Sequence, residues 1–441
     1  MSYRCTTCGY SSPKWMGFCP GCGSDAALVE AAPPARSTAG RAALVMPLAE
    51  AGRDEPRRRP TGLAEFDRVL GGGLVPGATV LVGGEPGVGK STLLLQVAAG
   101  LDAGGGKVLL ASAEESAAQV SLRASRLGID GPGLLLASER DVDAVIAAAD
   151  QIRPDLVVVD SIQTVAAAEV GGAPGGVAQV REAAARLVHF SKESGVPVAL
   201  VGHVTKDGAI AGPRLLEHMV DVVLYLEGDV ERGLRVLRSL KNRFGATHQV
   251  GLFEMGDRGL REVPDPSGWL VAGWRGGVPG SVVFPAVDGR RPLLVEVQAL
   301  VSQAGVATPR RSVLGLELAR VHQVLAVLER HARFSFASRD VYVSVVGGLQ
   351  VRDPGADLPV AIALVSSLLG EPLPATAAWG EVGLTGEVRA VAYGDRRAAE
   401  VARLGVQVAV GPTGNGQDRI DLALARAGLH PAFAERPTRR A

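Results

Sequence analysis

Short runs dominated by apolar residues recur through the first half of the chain: TVLVG (79–83), KVLLA (107–111), DLVVVD (155–160), PVALVG (197–202) and VVLYL (222–226). Runs this short and continuous suit strands buried on both faces. The helix-length segments between them predict an α/β fold with a parallel sheet. Farther on, Leu314, Leu318, Val321, Leu325 and Leu328 fall on one stripe and predict a helix near 313–330 with a core face.

Two stretches follow neither period. Residues 31–60 mix Ala, Pro and charge and predict a linker, in which Arg57, Arg58 and Arg59 form a solvated basic run, or alternatively a phosphate contact. The Gly-rich WRGGVPGS (274–281) precedes a second compact region. The expected organisation is therefore a small domain over 1–30, a linker over 31–60, an α/β domain over 61–270 and another domain over 281–435.

Composition narrows the classes. At 441 residues the chain is long for a single compact domain. Its 46 basic and 46 acidic residues balance, so no overall field draws it to nucleic acid or lipid. Aromatic residues are only 4%, which argues against broad base-stacking platforms. No apolar run approaches the roughly 18 residues that span a bilayer, and MSYRCTTCGYSS has no apolar signal core; a cytoplasmic protein without a membrane partner is expected.

All four cysteines, Cys5, Cys8, Cys19 and Cys22, lie in a C-x2-C-x10-C-x2-C pattern. Two such knuckles bring four thiolates to one tetrahedral Zn²⁺, and a site filled by sulfur is structural rather than catalytic. The contact made by this finger is open between nucleic acid, a protein and a neighbouring domain.

Gly84-Glu85-Pro86-Gly87-Val88-Gly89-Lys90-Ser91 matches G-x4-G-K-[ST], directly after the run TVLVG and before STLLLQVAAGL, and Thr92 continues the phosphate-binding turn into that helix. Backbone N–H groups and the helix N-terminus would hold the phosphates of ATP, Lys90 would reach the β- and γ-phosphates, and Ser91 would hold Mg²⁺. Asp160, ending LVVVD, is the expected second Mg²⁺ carboxylate. Glu114 and Glu115 follow KVLLASA, a strand expected to lie beside that of the P-loop. Glu114 is the expected general base toward water, and a dipole-stabilised acid at a helix start is the alternative.

Together with TGLAEFDRVLGGGLVPG (61–77), the four-cysteine finger and Lys241-Asn-Arg-Phe-Gly245, these motifs resemble the bacterial RadA (Sms) family of DNA-repair proteins over essentially the whole chain. The resemblance implies a RecA-like P-loop core with a parallel central sheet, an N-terminal zinc finger and a C-terminal Lon-protease-like α/β domain. It also implies a DNA-dependent ATPase that forms homo-hexameric rings and drives branch migration on single-stranded and branched DNA, alongside a RecA-type recombinase. Glu114 then takes the catalytic glutamate's place, and His203 that of a γ-phosphate sensor. Segments 165–177 and 206–214 become channel-facing loops, the latter touching phosphates through Lys206 and Arg214. A turn at Gly245 would push Lys241 and Arg243 toward a neighbouring subunit, split between ATP sensing and DNA contact.

Segments 357–370 and 380–406 resemble Lon proteolytic domains. Yet DPGADLPVA (353–361) contains no serine, the lysine position is taken as Arg396, and no lysine follows Lys241, so a Ser–Lys dyad is impossible. Arg310 and Arg311 are candidate DNA contacts, with plain surface charge as the alternative. Two rival classes are an ATP-dependent protease, opposed by the missing lysine, and a signalling ATPase of the clock-protein type, which leaves the finger and KNRFG unexplained.

Overall fold

The computed structural model describes residues 57–430 except 172, 203–213, 229–232, 248, 306–307, 348 and 415–417, together with residues 3–5, 11–12, 14–20, 25, 28–30 and 47. The chain forms two compact units, Met1–Glu55 and Pro56–Ala441.

In the first unit, β1 (Tyr3–Arg4) pairs antiparallel with β2 (Ser11–Ser12) and β3 (Val29–Glu30). Its small core is Cys5, Cys19 and Leu28, with Tyr3 and Met16 packed against them.

The second unit carries a nine-stranded sheet of β4 (Thr79–Gly84), β5 (Val108–Ser112), β6 (Leu134–Ala137), β7 (Leu156–Asp160), β8 (Val198–Val201), β9 (Val222–Glu227), β10 (Leu234–Asn242), β11 (Val250–Gly256) and β12 (Gly259–Glu262). Their spatial order is β12-β11-β10-β9-β4-β8-β7-β5-β6. The six strands from β9 to β6 are parallel, as the continuous apolar runs predict, and β10 to β12 extend the sheet as an antiparallel meander. Alternate β4 side chains serve opposite layers. Val80 and Val82 pack with the helix Lys90–Ala103, whereas Leu81 packs with the helices Val142–Ile152 and Val177–Ser194.

One expectation fails here. β5 does not lie beside the P-loop strand: β8 and β7 intervene. The helix between β4 and β5 crosses over both positions, so consecutive strands are not neighbours. Asp160 on β7, rather than the residues after β5, therefore stands nearer the P-loop strand.

Beyond residue 280, β13 (Ser281–Asp288), β14 (Arg291–Gln303), β15 (Arg311–Leu314), β16 (Arg339–Val345), β17 (Thr376–Ala378) and β20 (Val408–Val410) form a six-stranded sheet in the order β15-β16-β14-β13-β17-β20. A two-stranded ribbon joins β18 (Glu381–Val382) to β19 (Val388–Arg389). The helix Asp357–Leu369 is buried along its first ten residues, Asp357 to Ser366, and its apolar, all-round composition suits a core helix. The predicted 313–330 helix is a strand followed by a helix. Leu314 ends β15 and is 63% exposed, and the helix Leu318–His331 buries Val321, Leu325 and Leu328. Gly315, at φ +79, lies in the left-handed region that breaks the stripe between them.

The two sheets share one core. Leu234, Val236, Val250 and Leu252 of the meander cluster with Val282, Phe284, Val295 and Val297 of the C-terminal sheet. Arg291 pairs with the buried Glu65, and Arg238 bridges Glu227 and Asp288. The basic run 57–59 is also not simply solvated. Arg58 donates to the carbonyls of Leu70, at 3.0 Å, and Phe244, and Arg59 pairs with Asp155.

Candidate nucleotide site

The residues Gly84 to Lys90 turn from β4 into the helix Lys90–Ala103 at the C-terminal end of the parallel strands. Glu85, Pro86 and Gly87 are exposed, while Val88 and Lys90 are buried. Gly89 caps the helix at φ +112, the left-handed region that favours glycine, and Met255 Cε packs against it. The Lys90 ammonium donates to the carbonyls of Gly84 and Glu85, each at 2.9 Å. Burial pushes this ammonium below its ordinary pKa, and the carboxylates of Asp160 and Glu114 act in the opposite direction. The P-loop lysine, Asp160 and Glu114 thus share one electrostatic site.

The two glutamates differ. Glu115 pairs with Arg123 from the helix Ala117–Leu127, and its carbonyl accepts from Ser112 Oγ at 2.9 Å. The same guanidinium lies 3.9 Å from Asp160 Oδ2. Glu114 is exposed beside them. Arg123 thus holds Glu115, while Glu114 acts on the Lys90 ammonium. Ser91, Ser112, Glu115, Arg123 and Asp160 line a cavity of about 30 Å³, and Thr92, Arg126, Met255 and Asp257 border another of about 470 Å³. A roomier cavity, about 820 Å³, lies instead between β10 and the C-terminal sheet and contains none of these residues.

Ser91 and Asp160, a hydroxyl and a carboxylate, are the hard oxygen donors that Mg²⁺ takes, so the donor set fits that ion. In the first unit Cys5 and Cys19 are buried together, as two sulfur ligands of one metal must be. Cys8 and Cys22 lie outside the described residues.

Lys241 and Arg243 are both engaged within the chain. Lys241 donates to the carbonyls of Glu217 (2.6 Å) and Val220 (2.7 Å), closing the C-terminal end of the helix Arg214–Met219. Burial, then the neighbouring Arg243 charge, lower the Lys241 pKa. Arg243 bonds Asp221 at 3.1 Å. Burial favours the neutral form of Asp221, but the Thr79 N–H and hydroxyl and the Lys192 ammonium hold its carboxyl below the ordinary value. Asn242 donates to the Leu70 carbonyl at 3.0 Å, so the KNRFG segment is wired into the ATPase core.

His203 and Lys206 lie outside the described residues, as does the Arg214 side chain. Segment 165–177 is anchored at its start. Val165 and Ala167 are buried, and Gln179 accepts from the Ala167 N–H at 2.9 Å. Arg310 is exposed; Arg311 bonds the carbonyls of Arg310, Arg339 and Phe336. Arg396 donates to the Arg290 carbonyl at 2.9 Å.

Two residues near the site carried no motif: Arg123, and Arg235 on β10, which reaches the Val88 carbonyl. A lone arginine within the buried run of LRVL was the available signal for the second.

Residues 53–209 match a family model described as an AAA domain, and residues 3–30 match one described as a rubredoxin metal binding domain. The DNA repair protein RadA of Pseudomonas aeruginosa is 48% identical over 421 residues, 94% of this chain and 93% of that protein. Its Bacillus subtilis counterpart is 46% identical over 423 residues, 94% of this chain and 92% of that protein. A solved KaiC-like protein from Pyrococcus horikoshii is 23% identical, with 47% of this chain and all of that chain covered at a TM-score of 0.39.

Proposed function

This chain belongs to the DNA repair protein RadA family, and from that premise we propose that it is a DNA-dependent ATPase of recombinational repair, moving on single-stranded and branched DNA as a homo-hexameric ring. The observation that carries the reading is that a buried P-loop lysine, Lys90, bonds the Gly84 and Glu85 carbonyls while the Asp160 and Glu114 carboxylates act on its charge. The backbone of Gly84–Ser91 binds the triphosphate, and the cavity beside Thr92 takes the nucleoside. Mg²⁺, when held by Ser91 and Asp160, supplies charge neutralisation at the phosphates. Glu114 accepts the proton of the attacking water, while Arg123 keeps Glu115 out of that role.

Lys241 and Arg243 serve a neighbouring subunit's phosphates once they leave their present carbonyl and carboxylate partners, and His203 reports the γ-phosphate to the loops. Lys206, Arg214 and Arg310 contact DNA phosphates, and Arg311 holds the segment that presents Arg310. Cys5, Cys8, Cys19 and Cys22 bind one structural Zn²⁺. The C-terminal sheet acts as a Lon-like scaffold without peptidase chemistry, because a guanidinium does not serve as a base for a serine. The protein works in the cytoplasm with a RecA-type recombinase; among the described residues no helix is long and apolar enough to cross a membrane.

The test is ATP-driven movement of a labelled, mobile DNA joint by the purified protein. Strand exchange that advances with ATP and stops in Lys90→Ala supports the motor. A joint that stays put while ATP is consumed refutes it.

A further inference from the structure

We propose that Arg235 is a positioning residue of the nucleotide site, fixing one peptide group of the P-loop so that its N–H faces the phosphates. The proposal rests on the reading of Gly84–Ser91 as the phosphate cradle. Arg235 sits on β10 and is 2% exposed. Its Nε donates to the Val88 carbonyl at 3.0 Å, and its Nη1 to the Leu234 carbonyl at 3.0 Å. A buried guanidinium is costly to desolvate, and an apolar residue would fill the same place in a strand whose neighbours Leu234 and Val236 are apolar and buried. An apolar residue there could not make the contact to the P-loop.

That contact has a directional consequence. A trans peptide is planar, with its C=O and N–H antiparallel. Holding the Val88 carbonyl toward β10 therefore aims the Gly89 N–H the opposite way, out of the protein and into the cradle. The clamp acts where the loop is softest. Gly89 adopts φ +112, and a residue without Cβ offers little internal resistance to rotation of the preceding peptide. Met255 from β11 packs against the same glycine, so β10 and β11 brace the loop from behind with one polar and one apolar contact. Orientation fixed before binding is orientation the nucleotide need not impose, and it appears as affinity.

β10 is also the strand whose far end carries Lys241 on the Arg214–Met219 helix. One strand thus touches the phosphate cradle at Arg235 and, beyond a register shift between Ser239 and Lys241, the helix that follows residues 203–213 at Lys241.

The experiment measures equilibrium binding of a fluorescent N-methylanthraniloyl-ADP with Mg²⁺ to the full-length wild-type protein and to Arg235→Met, together with thermal unfolding and hydrogen exchange of the peptide spanning 84–92. Methionine fills the volume without a donor. The expected result is about tenfold weaker ADP binding and faster exchange in the P-loop peptide, with the folded state retained. Wild-type affinity and exchange in folded Arg235→Met would overturn the proposal, and a change in stability alone would do the same. If the methionine variant does not fold, Arg235→Gln decides, with severalfold weaker binding expected and unchanged binding contradicting it. Wild-type protein that binds no ADP analogue would overturn the cradle reading beneath the proposal and the proposal with it, a result distinct from equal binding by both proteins.

Discussion

The two sheets of the larger unit both bury arginine, and they use it differently. In the nine-stranded sheet, Arg235 donates to a carbonyl of the loop that meets nucleotide. Against the six-stranded sheet, Arg397 of the helix Gly394–Arg403 is 2% exposed, donates to the Pro285 carbonyl at 2.6 Å, pairs with Asp353 at 2.7 Å and lies over the Phe284 ring. The first cation supports a surface that remains open to a ligand. The second is consumed by its own fold. Lys90 and Asp357 repeat the contrast. Lys90 is poised against backbone carbonyls that phosphate oxygens can replace, whereas Asp357 is locked between Arg320 and the Val382 N–H. Burial of charge alone therefore does not mark a reactive site; what matters is whether its partners are exchangeable.

The largest expected effect falls on the open side of that comparison. Lys90→Ala abolishes ATP turnover, and Glu114→Gln keeps nucleotide binding while slowing hydrolysis at least about 10²-fold. Near-normal turnover in the glutamine variant transfers the base role to Glu115 and breaks the division between the two glutamates.

Next in size is Arg397→Ala. It removes a fully buried guanidinium and its contacts to the Pro285 carbonyl and the partly buried Asp353 carboxylate, and is expected to destabilise the unit by about 3–5 kcal/mol in chemical denaturation. Its nucleotide affinity, measured on the protein that remains folded, is expected to match wild type. A variant with normal stability but weak nucleotide binding would contradict the distinction between the two arginines.

A smaller effect is set by pH. Burial raises the Asp357 pKa from its ordinary 3.8 to about 6, despite the opposing pull of Arg320. The folded chain therefore holds this proton to higher pH than the unfolded chain. The stability it contributes is complete below about pH 4 and is lost as pH rises through about 6. Asparagine cannot ionise, so wild type should lose on the order of 3 kcal/mol relative to Asp357→Asn between pH 4 and pH 7. A difference that stays flat with pH would show that Arg320 fully compensates burial.

Much of this was legible in residue order. Continuous apolar runs identify the parallel strands, because a strand covered on both faces has no polar side to alternate with. The P-loop is readable because glycines, lysine and serine stand in a fixed order between a strand and a helix. What stayed hidden was spatial. Nothing local says that β8 and β7 lie between β4 and β5, since the crossover helix spans them. Nor does spacing reveal that Lys241 closes the helix Arg214–Met219, 22 to 27 residues before it, or that Arg58 reaches Phe244. Arg123 and Glu115 are eight residues apart, beyond the three- or four-residue spacing that marks a helical pair, and Glu115 precedes the helix that carries Arg123. The apolar stripe at 313–330 misled because Leu314 keeps helical spacing while lying on an edge strand, where side-chain period is set by the sheet.

The central claim is that this nucleotide site is a DNA-governed ATPase, and its most direct test is the rate of phosphate release from ATP with and without single-stranded or forked DNA. DNA is expected to raise turnover severalfold in wild type, and Lys90→Ala to release no phosphate under either condition. ATP hydrolysis that is indifferent to DNA but accelerated by an unfolded protein such as casein, with cleavage of that protein, would contradict it.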